Sequence, residues 1–138
     1  MLIAIDIDDT LADFTPNLIE FHNNTYGTSL TKNQFHSYNF WEVWGGTREE
    51  AIQKIFLYSK SDYIKNIRPI IFTVENIKIL KQNNRLIILT SRPDFTMNDT
   101  YNWVNKYFSD SFSNIYFTYN YVTKSGYKTK EELCLELN

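Results

Sequence analysis

The chain opens on a β-rich apolar run, Leu2–Ile7, that carries Asp6 inside it and passes directly into Asp8-Asp9-Thr10. A strand of this composition is buried on both faces when helices cover both sides of a parallel sheet. The chain is therefore expected to be an α/β protein with acid side chains at the carboxyl end of its first strand. Ligands of open α/β sheets bind along that edge.

The rest of the chain supports the same architecture. Thr15 and Pro16 read as an N-cap and first helical position for a helix carrying Leu18, Ile19, Phe21 and His22, stopped by Gly27. Helical spacing continues from Leu30 to Tyr58 through Phe35, Phe40, Trp41, Val43 and Trp44. Gly45-Gly46 breaks it, and Thr47 to Glu50 is a capping-box pattern opening a helix with Ile52, Ile55 and Phe56 on one face. After Pro69 the patterning predicts a helix over Thr73–Asn83, a strand over Arg85–Leu89, a helix over Met97–Phe108 and a strand over Ile115–Thr118. A loop at Lys124–Lys128 and a helix over Thr129–Leu137 complete the reading. Strands alternating with helices specify a parallel sheet with right-handed crossovers. Residues 1–14 and 69–138 are expected to form this core, with 15–68 a helical insertion after the first strand.

Composition narrows the function classes. With 138 residues, 43% apolar and 17% aromatic, the chain can bury a sizeable core, since each large ring covers roughly 150–250 Å². The net charge of −2 and the lack of like-charge runs argue against a nucleic-acid binder. A lone cysteine, Cys134, rules out an internal disulfide and a Cys-based zinc site, and points to a reducing, cytoplasmic setting. No apolar stretch reaches the roughly 18 residues of a membrane span, and the first residues lack the basic start of a signal peptide.

A carboxylate fixed in the loop after the first strand can attack phosphorus and form an aspartyl-phosphate. A second carboxyl nearby can protonate the leaving oxygen and then activate water. Asp6 and Asp8 have these capacities, and Thr10 can stiffen the loop. Two carboxylates repel a phosphate dianion, so the site needs a hard divalent cation on oxygen ligands and a lysine or backbone N–H groups on the phosphate. Thr90 and Ser91 end the second core strand and can donate to phosphate oxygens. Lys124, Lys128 and Lys130 are the lysine candidates. Lys130 is preferred because a cation opening a helix works against the dipole, which marks it as a placed residue.

Together these residues resemble the haloacid dehalogenase (HAD) superfamily of phosphohydrolases, with a closer resemblance to its 5′(3′)-deoxyribonucleotidase branch. The resemblance is carried by residues 3–13 around Asp6 and Asp8, the aromatic segment Tyr38–Gly45, residues 68–70, and residues 88–93 with Thr90 and Ser91. Thr100, Trp103 and Phe108, then Lys130 with Cys134, extend it. The resemblance implies a Rossmann-like core with a small helical cap, Asp6 as nucleophile and Asp8 as general acid/base. It implies phosphate held by Thr90, Ser91, Thr10 and Lys130, and Mg²⁺ on Asp6 and the Asp8 carbonyl. Lys130 again fits better than Lys128, because the family lysine precedes a Cys-containing helix by four residues. The implied substrate is a small phosphomonoester, most plausibly a (deoxy)nucleoside monophosphate.

In the family a further strand follows this helix and ends in an acidic pair that completes the metal site. The sequence here ends at Leu137-Asn138, so that strand is expected to be missing, leaving the first strand as an apolar edge. Truncation, a second subunit in a homodimer, or a substitute acid among Asp94 and Asp99 would each account for it.

Several residues carry two readings. Phe35, Tyr38, Phe40, Trp41 and Trp44 either stack a nucleobase, with Phe40, Trp41 and Trp44 foremost, or form the core of the cap. Arg92 and Arg48 either meet a phosphate or carboxylate, or are placed on the surface or paired. His22 and His36 are expected to be structural, and Cys134 buried and inert. The competing function is a non-catalytic phosphate- or nucleotide-binding relative lacking the last acidic motif. A receiver domain is set aside because no central strand ends in Asp, and a P-loop kinase because no Gly-rich Lys-Ser/Thr loop occurs.

Overall fold

The computed structural model describes residues 1–120, 124 and 128–137. Among them β1 (Leu2–Ile5), β2 (Arg85–Thr90) and β3 (Asn114–Phe117) form a parallel sheet in the order β1-β2-β3. Ile5 lies opposite Ile88, and Thr90 opposite Phe117, so all three strands deliver their carboxyl ends to one edge. The fold class is α/β, as the strand-helix alternation requires.

Burial follows position in the sheet. Leu86–Thr90 in central β2 are all buried, which an apolar run in a parallel sheet demands. The expectation of a fully buried first strand is corrected: β1 is an edge among the described residues, its side chains are partly exposed, and it ends at Ile5 rather than Ile7. The apolar residues beyond it serve the following loop, where Ile7, Leu11 and Ala12 are buried.

The chain divides into two compact units, 1–12 with 68–138, and 13–67. In the first, α5 (Thr73–Lys81), α6 (Met97–Phe108) and α7 (Lys130–Leu137) accompany the sheet. Thr100, Trp103, Val104 and Phe108 recur at helical spacing and form the buried face of α6. In the second unit, α1 (Phe14–Tyr26), α2 (Trp41–Trp44), α3 (Arg48–Lys60) and α4 (Asp62–Lys65) enclose a core of Leu18, Phe21, Tyr58 and Ile64. Helix α1 begins at Phe14 after Asp13, so the expected Thr15 cap with Pro16 in the first position is shifted; it ends at Gly27, left-handed at φ 64°. The capping box at Thr47 and Glu50 forms in both directions, with Glu50 Oε2 accepting from the Thr47 amide at 2.7 Å. Between Phe35 and Phe40 the chain is irregular, where helical spacing had predicted continuity.

Part of the predicted loop at Lys124–Lys128 lies outside the described residues. No helix of the described chain is long and apolar enough to cross a membrane.

Candidate active site

The loop after β1 curls around one carbonyl oxygen. Ile7 O accepts from the amides of Thr10, Leu11 and Ala12 at 3.2, 2.7 and 2.8 Å, while Asp9 N donates to Ala12 O at 2.9 Å. Asp9 takes the left-handed conformation that this turn requires, φ 55°, which Asp tolerates better than most residues. Thr10 stiffens the loop through its amide, and its side chain is exposed. Buried Ile7 and Leu11 pin the loop from below, leaving Asp6 and Asp8 partly exposed at the sheet edge.

Asp6 is held from two sides. Its Oδ1 accepts from the Ile7 amide at 2.8 Å, and its Oδ2 accepts from Lys130 Nζ at the start of α7. Both side chains are a little over one-third exposed, so the pair is reachable from solvent. Lys128, the rival lysine, pairs with Glu136, and Lys124 is exposed.

Asp8 is gripped by Arg92, for which the sequence left open a phosphate or carboxylate partner, pairing, or a surface position. Arg92 Nη2 donates to Asp8 Oδ1 at 2.7 Å, and Nε reaches Oδ1 at 3.2 Å and Oδ2 at 3.1 Å. The arginine side chain is only 4% exposed. Its Nη1 donates to Thr100 Oγ1 at 3.4 Å, and its guanidinium lies 5.8 Å from the Trp103 ring. Removing Asp8 would leave the buried guanidinium charge uncompensated.

Thr90 is fully buried, and its Oγ1 accepts from the Arg92 amide at 3.2 Å. Ser91 is half-buried with Oγ 2.9 Å from Thr118 Oγ1, and Asn120 Nδ2 donates to the Ser91 carbonyl. Thr118, in turn, bonds the Thr90 carbonyl through its amide at 2.8 Å and its hydroxyl at 3.1 Å. Thr118 and Asn120 are thus part of the site's frame. Sequence reasoning missed them, although a polar residue directly after β3 must reach the same sheet edge as Asp6 and Thr90.

In the insertion unit, Phe35, Phe40 and Trp44 pack against the Leu18–Phe21–Tyr58–Ile64 core. Phe40 stacks on Trp44 at 5.0 Å between ring centroids and Trp44 on His22 at 4.7 Å. Trp41 is half-buried and Tyr38 83% exposed. His22 is buried; the Thr28 hydroxyl donates to Asn23 Oδ1, so His22 Nδ1 donates to Thr28 Oγ1 at 2.8 Å and Nε2 accepts from Lys54 Nζ at 3.2 Å. Burial, then the Lys54 ammonium, lowers the His22 pKa to about 4. His36 Nδ1 lies 2.7 Å from the Gln34 carbonyl, and Arg48 is exposed.

The expectation for Cys134 is corrected: the thiol is exposed. Leu133 and Leu137 form the half-buried stripe of α7, and Cys134 sits one residue off it.

Asp94 is exposed and accepts from the Phe95 amide at 2.9 Å, and Asp99 is half-buried. No group of three or more His, Cys, Asp or Glu among the described residues is arranged to hold a metal ion. The site still fits a hydrated Mg²⁺, which takes one or two protein oxygens and fills its shell with water and substrate phosphate. The Asp6 carboxylate is partly exposed and has acceptor capacity beyond its two present bonds, and the Asp8 carbonyl lies in the same loop.

Residues 1–123 match the family model of 5′ nucleotidase, deoxy (pyrimidine), cytosolic type C protein. Lys130 lies past that match, so its link to Asp6 rests on the structure. The fold is similar to the crystal structure of a provisionally assigned phosphatase from Clostridium difficile, with TM-score 0.63 and 18% identity over 99% of this chain and 68% of that one. It is also similar to the provisionally assigned HAD hydrolase YfnB from Bacillus subtilis, bound to magnesium, with TM-score 0.53 and 16% identity over 84% of this chain and 62% of that one. This chain thus spans about two-thirds of each. None of the curated proteins matches the sequence.

Proposed function

Since the chain belongs to the 5′ nucleotidase, deoxy (pyrimidine), cytosolic type C family of HAD-type phosphatases, we propose that it hydrolyses phosphomonoesters through an aspartyl-phosphate on Asp6, with Mg²⁺ as cofactor. (Deoxy)nucleoside monophosphates are the proposed substrates. The observation that carries this reading is the Asp6–Lys130 pair at the carboxyl edge of β1. A carboxylate with one oxygen fixed by an amide and the other beside an ammonium is oriented for in-line attack, with the charge needed to hold a phosphate dianion already beside it.

The residues divide the chemistry as follows. An Asp6 oxygen forms a bond to phosphorus as the bond to the ester oxygen breaks, and Asp8 gives that oxygen a proton. Water then attacks phosphorus, its proton passes to Asp8, and the Asp6–phosphorus bond breaks to restore the carboxylate. Lys130 binds phosphate oxygens through both steps, and Thr90 and Ser91 frame the phosphate site from the end of β2. Bound Mg²⁺, on the Asp6 carboxylate and the Asp8 carbonyl, supplies positive charge that offsets the repulsion between carboxylate and phosphate.

Phosphate release from a panel of nucleoside monophosphates, with Mg²⁺ or with a chelator, tests the reading. Release should require the metal and disappear in Asp6→Asn, and acid-quenched wild-type protein should carry phosphate on Asp6. Equal release by wild type and Asp6→Asn would overturn the nucleophile assignment. Binding of a monophosphate without release would instead identify a phosphate-binding relative.

A further inference from the structure

We infer that Arg92 is a positioning residue that holds the Asp8 carboxyl in the orientation from which it hands a proton to the leaving group. The inference rests on the phosphohydrolase reading of the site. Its basis is the grip of the ion pair on both carboxylate oxygens. Nη2 holds Oδ1 at 2.7 Å, and Nε lies 3.1 Å from Oδ2 and 3.2 Å from Oδ1. A planar fork that engages both oxygens fixes the rotation of the carboxyl.

The guanidinium is itself held in place. Thr100 Oγ1 accepts from Nη1, the Trp103 ring lies 5.8 Å away, and almost none of the side chain meets solvent. The Arg92 amide donates to Thr90 Oγ1, so one residue ties the loop after β1 to the loop after β2. Asp8 stands on a turn secured mainly by the Ile7 carbonyl. Without the arginine its carboxyl would rotate, and a displacement of about 1 Å from a productive geometry costs on the order of 10²-fold in rate. Lysine cannot replace the fork, because an ammonium is a single point of charge on a flexible stem.

The consequence is graded by leaving group. A sugar alkoxide departs only with a proton, so a nucleoside monophosphate depends on a well-placed Asp8. A nitrophenolate departs without one, so p-nitrophenyl phosphate does not. The value of kcat/KM reports events up to phosphoryl transfer to Asp6, the step in which the two esters differ.

The test is kcat/KM on both esters for wild type, Arg92→Met, Arg92→Lys, Asp8→Asn and the Arg92→Met/Asp8→Asn double variant. In Arg92→Met the nucleotide value should fall by about 30-fold or more and the aryl value by about threefold or less. Arg92→Lys should recover little of the nucleotide value. Adding Arg92→Met to Asp8→Asn should cause no further loss, because the arginine acts through Asp8. The ratio between esters is taken within one preparation, so the fraction of folded protein cancels. Equal losses on both esters, or a further loss on the Asp8→Asn background, would overturn the inference alone. A wild type that turns over neither ester overturns the inference together with the functional reading beneath it.

Discussion

Asp6 and Lys130 stand 124 positions apart in the chain and meet as an ion pair at the carboxyl edge of the sheet. The contact brings the opening residue of α7 to the residue that follows β1, and it sets the order of importance among the lysines. Lys130→Met should lower kcat/KM for monophosphates by roughly 10²–10³-fold, the usual effect of removing one preorganised charge from a transition state. Lys128→Met, which loses only an exposed pair with Glu136, should stay within about twofold, since such pairs contribute roughly 0–1 kcal/mol. Steady-state kinetics on the two variants checks the ranking.

Acid should weaken the insertion unit through His22. Its folded pKa is lowered to about 4 from an ordinary 6.5. Above pH 6.5 both folded and unfolded forms hold a neutral ring, so the stability is fully present. As pH falls from 6.5 toward 4 the unfolded chain takes up a proton that the folded chain refuses, and stability is lost. A shift of that size corresponds to roughly 3 kcal/mol. Denaturant titrations between pH 7 and pH 4 should show the slope in wild type and lose most of it in His22→Gln.

The two glycines before α3 should differ in their response to alanine. Gly45 and Gly46 have φ of 79° and 84°, so either substitution brings strain of about 1 kcal/mol or more. A Cβ at Gly45 meets open space, but one at Gly46 would lie 2.5 Å from Glu50 Oε2, the atom that caps Thr47. Gly46→Ala should therefore cost about 1 kcal/mol more than Gly45→Ala, as loss of the capping box adds to the strain. Chemical denaturation of the two variants measures the difference.

The two tryptophans of the insertion unit should separate by role. Trp44 packs on the core beside Phe40 and His22, so Trp44→Ala should cost about 2–4 kcal/mol of stability. Trp41 is half-buried, and if it stacks a base its removal should raise KM for nucleotides by roughly fivefold or more with a smaller loss of stability. Thermal melts paired with nucleotide kinetics distinguish a packing ring from a stacking one.

The legible parts of this chain were those where one local pattern decides. Thr100, Trp103, Val104 and Phe108 share a helical face, and α6 spans Met97–Phe108 as the periodicity requires. The capping box at Thr47 and Glu50 is equally local. Asp6 could be placed at the carboxyl edge of the sheet because it directly follows an apolar strand. Arg92 could not be assigned, since its partner Asp8 is 84 residues away and depends on how β1 and β2 align. Thr118 and Asn120 were missed for the same reason. Cys134 was misjudged because α7 is short and has no fully buried residue, so an apolar-looking position on it implies little burial.

The ends of the insertion are clasped together within the first unit. Ala12 bridges Pro69, and the Ile70 amide donates to the Leu11 carbonyl at 2.8 Å. Residues 13–67 thus leave and rejoin the core at neighbouring points, and lengthening such an excursion costs little entropy. A segment whose ends meet at neighbouring points can be exchanged for one of different size without rethreading the sheet. Chimeras that keep 1–12 and 68–138 while grafting a foreign helical segment at Ala12 and Arg68 should therefore retain the three-stranded sheet.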